Sequence, residues 1–250
     1  MNETIERVEK NGHRYYQVKR DGVITGTYPS MTTILGNTKD TSGIAKWRDR
    51  VGHAEADRIS NLSMNRGTIL HRLIELYKAT EGTPDERLAE LKDIASTDEE
   101  CIQFKDEELG EHWLEEGWIM FMKFWNNPEE TFDRIEEVLA AEKFIWSERG
   151  FAGTLDNVSR TTDRGVLIID YKNSRKPKRD EWIEDYFLQV AGYSVAYYER
   201  TGIVPEGCEV WIANELDEKP QIFKLTYDDI KHYYKEFNKR LKQFMKKEIQ

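Results

Sequence analysis

Apolar positions in this chain recur with two periods, helical at either end and β-like in between. From His13 to Tyr28 the stretch HRYYQVKRDGVITGTY alternates loosely and turns at Asp21-Gly22, which predicts a β-hairpin sealing one edge of the fold. Pro29 and Ser30 open SMTTILGNT, where Ser30 caps a short helix that stops at Gly36. A second helix is expected over IAKWRDRVGHAEADRIS. A third, after Arg66 and Gly67, covers TILHRLIELYKAT, with Leu70, Leu73, Ile74 and Tyr77 as its apolar stripe and His71 and Glu75 on another face. Residues 81–127 are crowded with Asp and Glu and read as an acidic helical insertion, closed by the apolar helix WIMFMKFWNN. Then IEEVLAAEKFIWS, GFAGTLDNVSR and GVLIIDYK form a three-strand meander. A long helix from about Asp180 to Arg200, the strand CEVWIAN and the segment QIFKLT follow. The last helix, from Asp228, sets Ile230, Tyr234, Phe237, Leu241 and Met245 on one side. Lys235, Lys239, Lys242 and Lys246 lie on the other, either a further basic surface or a solvated helix side.

This order predicts an α/β fold, a mixed central sheet flanked by helices, in a single domain of 250 residues. Its expected parts are an N-terminal hairpin with helices (1–65), a His-bearing core helix (66–80), the acidic insertion (81–127), a catalytic core (135–225) and a C-terminal helix (226–250). The 37 basic and 47 acidic residues leave a net charge of −10, which argues against a general polyanion binder but leaves room for a local basic patch. No apolar stretch approaches the roughly 20 residues of a membrane span, and MNETIERVEK lacks the apolar core of a signal peptide. A soluble cytoplasmic protein, with no membrane partner, is therefore expected. Cys101 and Cys208, the only cysteines, cannot form a disulfide framework or a four-thiolate zinc or iron–sulfur site.

The candidate chemistry lies in the meander. A hairpin centred on Asp163 sets Asp156 opposite Asp170, with Lys172 two residues on and on the same face, provided no bulge intervenes. Opposed carboxylates repel unless a positive charge lies between them, and a divalent cation with hard oxygen ligands, Mg²⁺ or Mn²⁺, supplies it. Taken alone, the three residues better describe a solvated strand face with a cross-strand ion pair; the motifs around them change that balance. Downstream, Gln189 and Tyr193 lie four apart on a helix and share a face.

Together, Gly153 to Asp156, Asp170-Tyr171-Lys172, Gln189 to Tyr193 and a helical His71 within RGTILHRLIE resemble the RecB-like branch of the PD-(D/E)xK nucleases, whose restriction-endonuclease-like core is α/β. The match spans roughly residues 65 to 200 in order and spacing. YPSMTTILGNT and the His71 helix look most like bacteriophage exonucleases and the mitochondrial genome maintenance exonuclease group. Leu155 stands where the superfamily's name has proline, a common departure in this branch, and the missing cysteines exclude its iron–sulfur sub-branch.

The resemblance implies that Asp156, Asp170, the Tyr171 main-chain carbonyl and His71 hold one or two Mg²⁺ or Mn²⁺ ions, and that Lys172 positions or deprotonates the attacking water. Glu142 is then either a further acid near the metal or strand surface. Glu75 either supports the ligands or is a helix-surface acid. Gln189 and Tyr193 either orient the active-site strand and touch the DNA backbone or belong to the core. The loop SRKPKR offers Ser174, Arg175, Lys176, Lys178 and Arg179, joined by Arg66, to nucleic-acid phosphates. The expected activity is a metal-dependent DNA exonuclease acting on single strands or free ends, the acidic stretch forming either a lid or a plain surface insertion. A structure-specific endonuclease, a non-catalytic nucleic-acid-binding subunit and an enzyme acting on a small phosphoester are the rivals, and oligomeric state is left open.

Overall fold

The structure, a computed structural model, describes residues 2–102 and 112–248. Three strands open it: β1 (Glu3–Lys10), β2 (His13–Arg20) and β3 (Val23–Pro29), paired antiparallel in that order. The expected hairpin is β2–β3. Asn11-Gly12 and Asp21-Gly22 all have positive φ, which matches the right-handed twist of strands joined by two-residue turns. Ser30 caps α1 (Met31–Thr38), accepting from the Thr33 amide at 2.9 Å.

The second and third expected helices divide elsewhere. α2 (Ser42–Val51) ends at Gly52, whose φ of 88° suits glycine, and α3 (His53–Ala79) then runs unbroken through Arg66 and Gly67. Gly67 serves a close approach rather than a helix end: a Cβ there would stand 2.7 Å from the Asn173 side-chain amide.

Within the acidic stretch, Thr83 and Glu86 form a capping box for α4 (Pro84–Thr97), followed by α5 (Glu99–Ile102) and α6 (His112–Trp125); residues 103–111 lie outside the described residues. Most of the described acids are exposed, with Asp98 pairing with Arg72 and Glu116 with Arg66, while Leu91, Ala95, Cys101, Met120, Phe121 and Phe124 pack with Leu70, Leu73 and Ile74 of α3. These helices form a packed layer on the main sheet.

That sheet runs in the order β4 (Ile135–Ser147), β5 (Phe151–Thr161), β6 (Gly165–Ser174), β7 (Gly207–Asn214) and β8 (Gln221–Thr226). All neighbours are antiparallel except β6 and β7, which are parallel and joined through α7 (Glu184–Thr201). α8 (Tyr227–Glu248) closes the chain. Leu167, Ile169, Tyr171, Trp211 and Ala213 meet the α3–α6 layer, and Val166, Ile168, Val210 and Ile212 meet α1, α7 and α8. Burial on both faces explains why GVLIIDY reads as a continuous apolar run instead of an alternating one.

Candidate active site

The site begins where a ladder stops. β5 and β6 pair in the expected register, Thr161 opposite Gly165 and Asn157 opposite Ile169, and their pairing ends there. One residue further, the Asp156 carboxylate stands in for a backbone acceptor, its Oδ2 accepting from the Tyr171 amide at 2.9 Å. β6 stays paired with β7 through Asp170, Tyr171 and Lys172, which fixes these residues on a central strand. Asp170 is 1% exposed, and Lys172 Nζ lies 2.5 Å from its Oδ2. Apart from that ion pair, neither Asp170 oxygen has a partner.

Two more elements converge on Asp156. β4 brings Glu142, between the pairs Ala141–Asn157 and Lys143–Leu155, with a φ of 43°. A left-handed non-glycine residue inside a strand costs about 1–3 kcal/mol and marks a site where surroundings override local preference. α3 brings His71, whose Nδ1 lies 3.6 Å from Glu142 Oε1 and 3.7 Å from Asp156 Oδ1, while its Nε2 meets the Tyr171 carbonyl oxygen at 2.8 Å. One ligand-type atom each from His71, Glu142 and Asp156 falls within 4.8 Å of the others. His71 and Glu142 open into a cleft of about 540 Å³ also lined by Arg7, Glu75, Phe144 and Thr154.

Burial lifts the Asp170 carboxyl to about 7, and Lys172 only partly opposes it. Glu142 is raised for the same reason, with Asp156 adding repulsion. Burial disfavours the charged form of His71, but Asp156 and Glu142 outweigh it and raise the imidazole to about 9. Lys172 follows the same pattern: burial opposes its charge, Asp170 and Asp156 prevail, and its pKa rises. At neutral pH two cations, on His71 and Lys172, therefore partly neutralise a crowd of acids.

A sequence profile of the PD-(D/E)XK nuclease superfamily matches residues 45–250. The chain belongs to that superfamily. Among solved structures, it resembles a candidate exonuclease from Eubacterium rectale at 14% identity and a TM-score of 0.43, covering 66% of this chain and 68% of that one. It also resembles SSO0001 at 12% identity and a TM-score of 0.32, covering 71% and 83% respectively. No curated protein matches the chain.

Nucleases of this superfamily use divalent metals, and the donors present suit one. Carboxylate and carbonyl oxygens with one imidazole are the set that hard divalent cations accept. The Asp170 carboxylate beside that set, partnered by Lys172 alone, would gain from a further positive charge. Glu142, expected only as a further acid, stands inside the tight donor group, whereas Asp170 stands next to it, tied to Lys172.

The other expected residues of this nuclease divide by exposure. Gln189 and Tyr193 are buried, their side chains 3.4 Å apart, and the Tyr193 hydroxyl lies against Gly153, where a Cβ would meet it at 2.5 Å. They brace the strand that carries Asp156; their burial removes the expected touch on a DNA backbone. Arg66, expected on the nucleic-acid face, is wholly buried and donates to Glu215 at 2.6 Å and Asn173 at 2.8 Å, with Glu116 at 3.4 Å. Ser174 is buried too, its hydroxyl donating to the Lys176 carbonyl. Arg175, Lys176 and Arg179 are exposed, while partial burial lowers the Lys178 pKa. Glu75 pairs with Arg72 at 2.7 Å on the cleft wall.

Lys78 was missed. It donates to Asn157 at 2.8 Å and to the Tyr171 hydroxyl at 2.6 Å, and burial lowers its pKa to about 7. Its place seven residues after His71, on the same helix face, was the available signal.

Proposed function

We propose that this nuclease is a metal-dependent DNA exonuclease working on single strands or free DNA ends. The observation that carries the reading is the convergence of Asp156, Asp170, Glu142 and His71 beside the Lys172 ammonium, at the edge of an open cleft. A Mg²⁺ or Mn²⁺ ion held by Asp156, Asp170, the Tyr171 carbonyl and His71, with Glu142 beside them, would supply Lewis acidity to the phosphate and to the attacking water. Lys172 keeps its proton at neutral pH, so its part is to orient that water and offset charge growing on the phosphoryl oxygens. Gln189 and Tyr193 hold the strand of Asp156 in place. Arg175, Lys176 and Arg179 offer phosphate contacts, which supply sequence-independent affinity on a chain whose net charge of −10 repels DNA elsewhere.

The test is a set of time courses on 5′- and 3′-labelled single strands, duplexes, RNA and circular single strands, with Mg²⁺, Mn²⁺ or chelator. Cleavage from an end, lost in chelator and in Asp170→Ala and Lys172→Ala, is expected. Cutting of the circle would replace the exonuclease reading with an endonuclease, and full turnover in either variant would overturn the assigned roles.

A further inference from the structure

Between the basic loop and α7 the surface carries an indole that the core does not use. The Trp182 side chain is 59% exposed. It ends a short 3-10 turn, Asp180–Trp182, that joins the basic loop to α7. The Arg179 guanidinium lies 5.1 Å from its ring centroid. Four residues further on, in α7, the Tyr186 ring stands 5.3 Å from Lys172 Nζ, which ties this stretch of chain to the amine of the candidate active site.

The loop that presents this indole is held rigidly. Ser174 Oγ donates to the Lys176 carbonyl at 2.8 Å, and the Gln221 side chain clamps Lys178, accepting from its amide at 2.6 Å and donating to its carbonyl at 3.0 Å. The Trp182 amide donates to the Arg179 carbonyl at 2.9 Å. Backbone groups are thus satisfied inward while Arg175, Lys176, Arg179 and Trp182 stay outward. Their ionic contacts, Arg175 with Glu215 at 3.9 Å and Arg179 with Glu181 at 3.8 Å, are long and exposed, a kind of pair that contributes little and yields readily to a phosphate.

We propose that Trp182, steadied by Arg179, is a stacking platform for one unpaired base of the strand entering the active site, with Arg175 and Lys176 on the adjoining phosphates. An exposed ring among cations is complementary to a flat base joined to an anionic backbone. A base inside a duplex already has both faces stacked, so the platform selects an unpaired nucleotide. This inference takes its occupant from the nuclease reading above and adds how a single strand is recognised.

The experiment measures binding of a labelled single strand of about 12 nucleotides to the full chain in chelator, where no cleavage occurs. Trp182→Ala is expected to weaken binding about 10-fold and Trp182→Phe by less than about 3-fold, with melting temperatures unchanged and duplex binding unaffected. A single abasic residue moved along the strand should weaken wild-type binding at one position, and should cost nothing further there in Trp182→Ala. Wild-type affinity in Trp182→Ala, equal losses for duplex and single strand, or the same abasic profile in both proteins would each overturn the platform. Cleavage by the wild type is scored separately. A protein that stacks a base without cutting removes the nuclease assignment alone, and one that cuts while Trp182→Ala binds normally removes the platform alone.

Discussion

Arg66 separates two physical pictures of this nuclease. A phosphate-binding arginine belongs at the surface, whereas here the side chain is 0% exposed and joins Glu215, Glu116 and Asn173. Removing one partner of a buried ion pair costs about 3–5 kcal/mol, chiefly because the other charge is stranded. Glu215 and Glu116 keep 34% and 38% of their side-chain surface, so water can reach them after Arg66→Ala and the lower end applies, about 3 kcal/mol. For a domain of this size that corresponds to a fall in melting temperature of about 6–12 °C. Arg66→Lys should fall between, since one ammonium cannot replace the guanidinium fork that spans Glu215 and Asn173. The companion measurement is the salt dependence of single-strand binding in chelator. A lost phosphate contact lowers the slope by about 0.7, while a buried structural arginine leaves it unchanged. An unaltered melting temperature together with a reduced slope in Arg66→Ala would refute the buried network and restore Arg66 to the DNA face.

Two further outcomes follow from the site. Saturating Mg²⁺ or Mn²⁺, at about 100 times its dissociation constant at pH 7.5, should stabilise the protein by about 2.7 kcal/mol. Asp170, raised from 3.8 to about 7, and His71, raised from 6.5 to about 9, both hold protons that a cation must displace, so metal affinity falls as pH falls. Near pH 5.5 the two protons together weaken binding on the order of 1,000-fold, so the stabilisation should all but vanish; a metal-induced melting shift that is absent at pH 7.5, or equal at both pH values, contradicts this. In metal-free protein Asp170 binds more protons folded than unfolded between 3.8 and about 7, so its contribution to stability falls as pH rises through that window. Gly153→Ala should cost about 1–3 kcal/mol by overpacking, because the new Cβ meets the Tyr193 hydroxyl at 2.5 Å. Adding Tyr193→Leu removes the phenol ring that the new Cβ would meet, so urea melts should show the double variant losing at least about 1 kcal/mol less than the sum of the single variants; additive losses would contradict that contact.

What could be read in advance depended on whether the deciding contact was local. The meander and its register were legible because Thr161 and Gly165 flank a short turn and the apolar pattern leaves one alignment. The placement of the motif residues on β5, β6, α3 and α7 was legible through their spacing. β1 was not: only Ile5 and Val8 are even partly covered in it, so no alternation marks it, and Asn11-Gly12 was the overlooked sign of its turn. Gly52 and Gly67 look alike in a sequence, yet one ends a helix and the other admits Asn173, more than a hundred residues away. Arg66 misled for the same reason. An arginine belongs at the surface by default, and its partners Glu215 and Asn173 come from distant strand ends.

Two buried carboxylates on adjacent strands are supplied with donors very differently. Glu209 on β7 pairs across from Ile169, one residue from Asp170, and is equally hidden from water. It accepts from Arg134 at 2.8 and 2.9 Å, Arg164 at 2.9 Å and the Trp211 indole at 2.8 Å, and although burial pushes its pKa up, these donors bring it below the usual value. Asp170 has one amine and nothing else, and its pKa rises to about 7. A fold able to supply four hydrogen bonds to one buried acid leaves its neighbour undersupplied beside Asp156 and Glu142. Such an arrangement costs stability unless a further positive charge completes it, and the donor atoms of His71, Glu142 and Asp156 converge beside it. The incompleteness of Asp170 is thus the physical argument for a cation that does not depend on the motif.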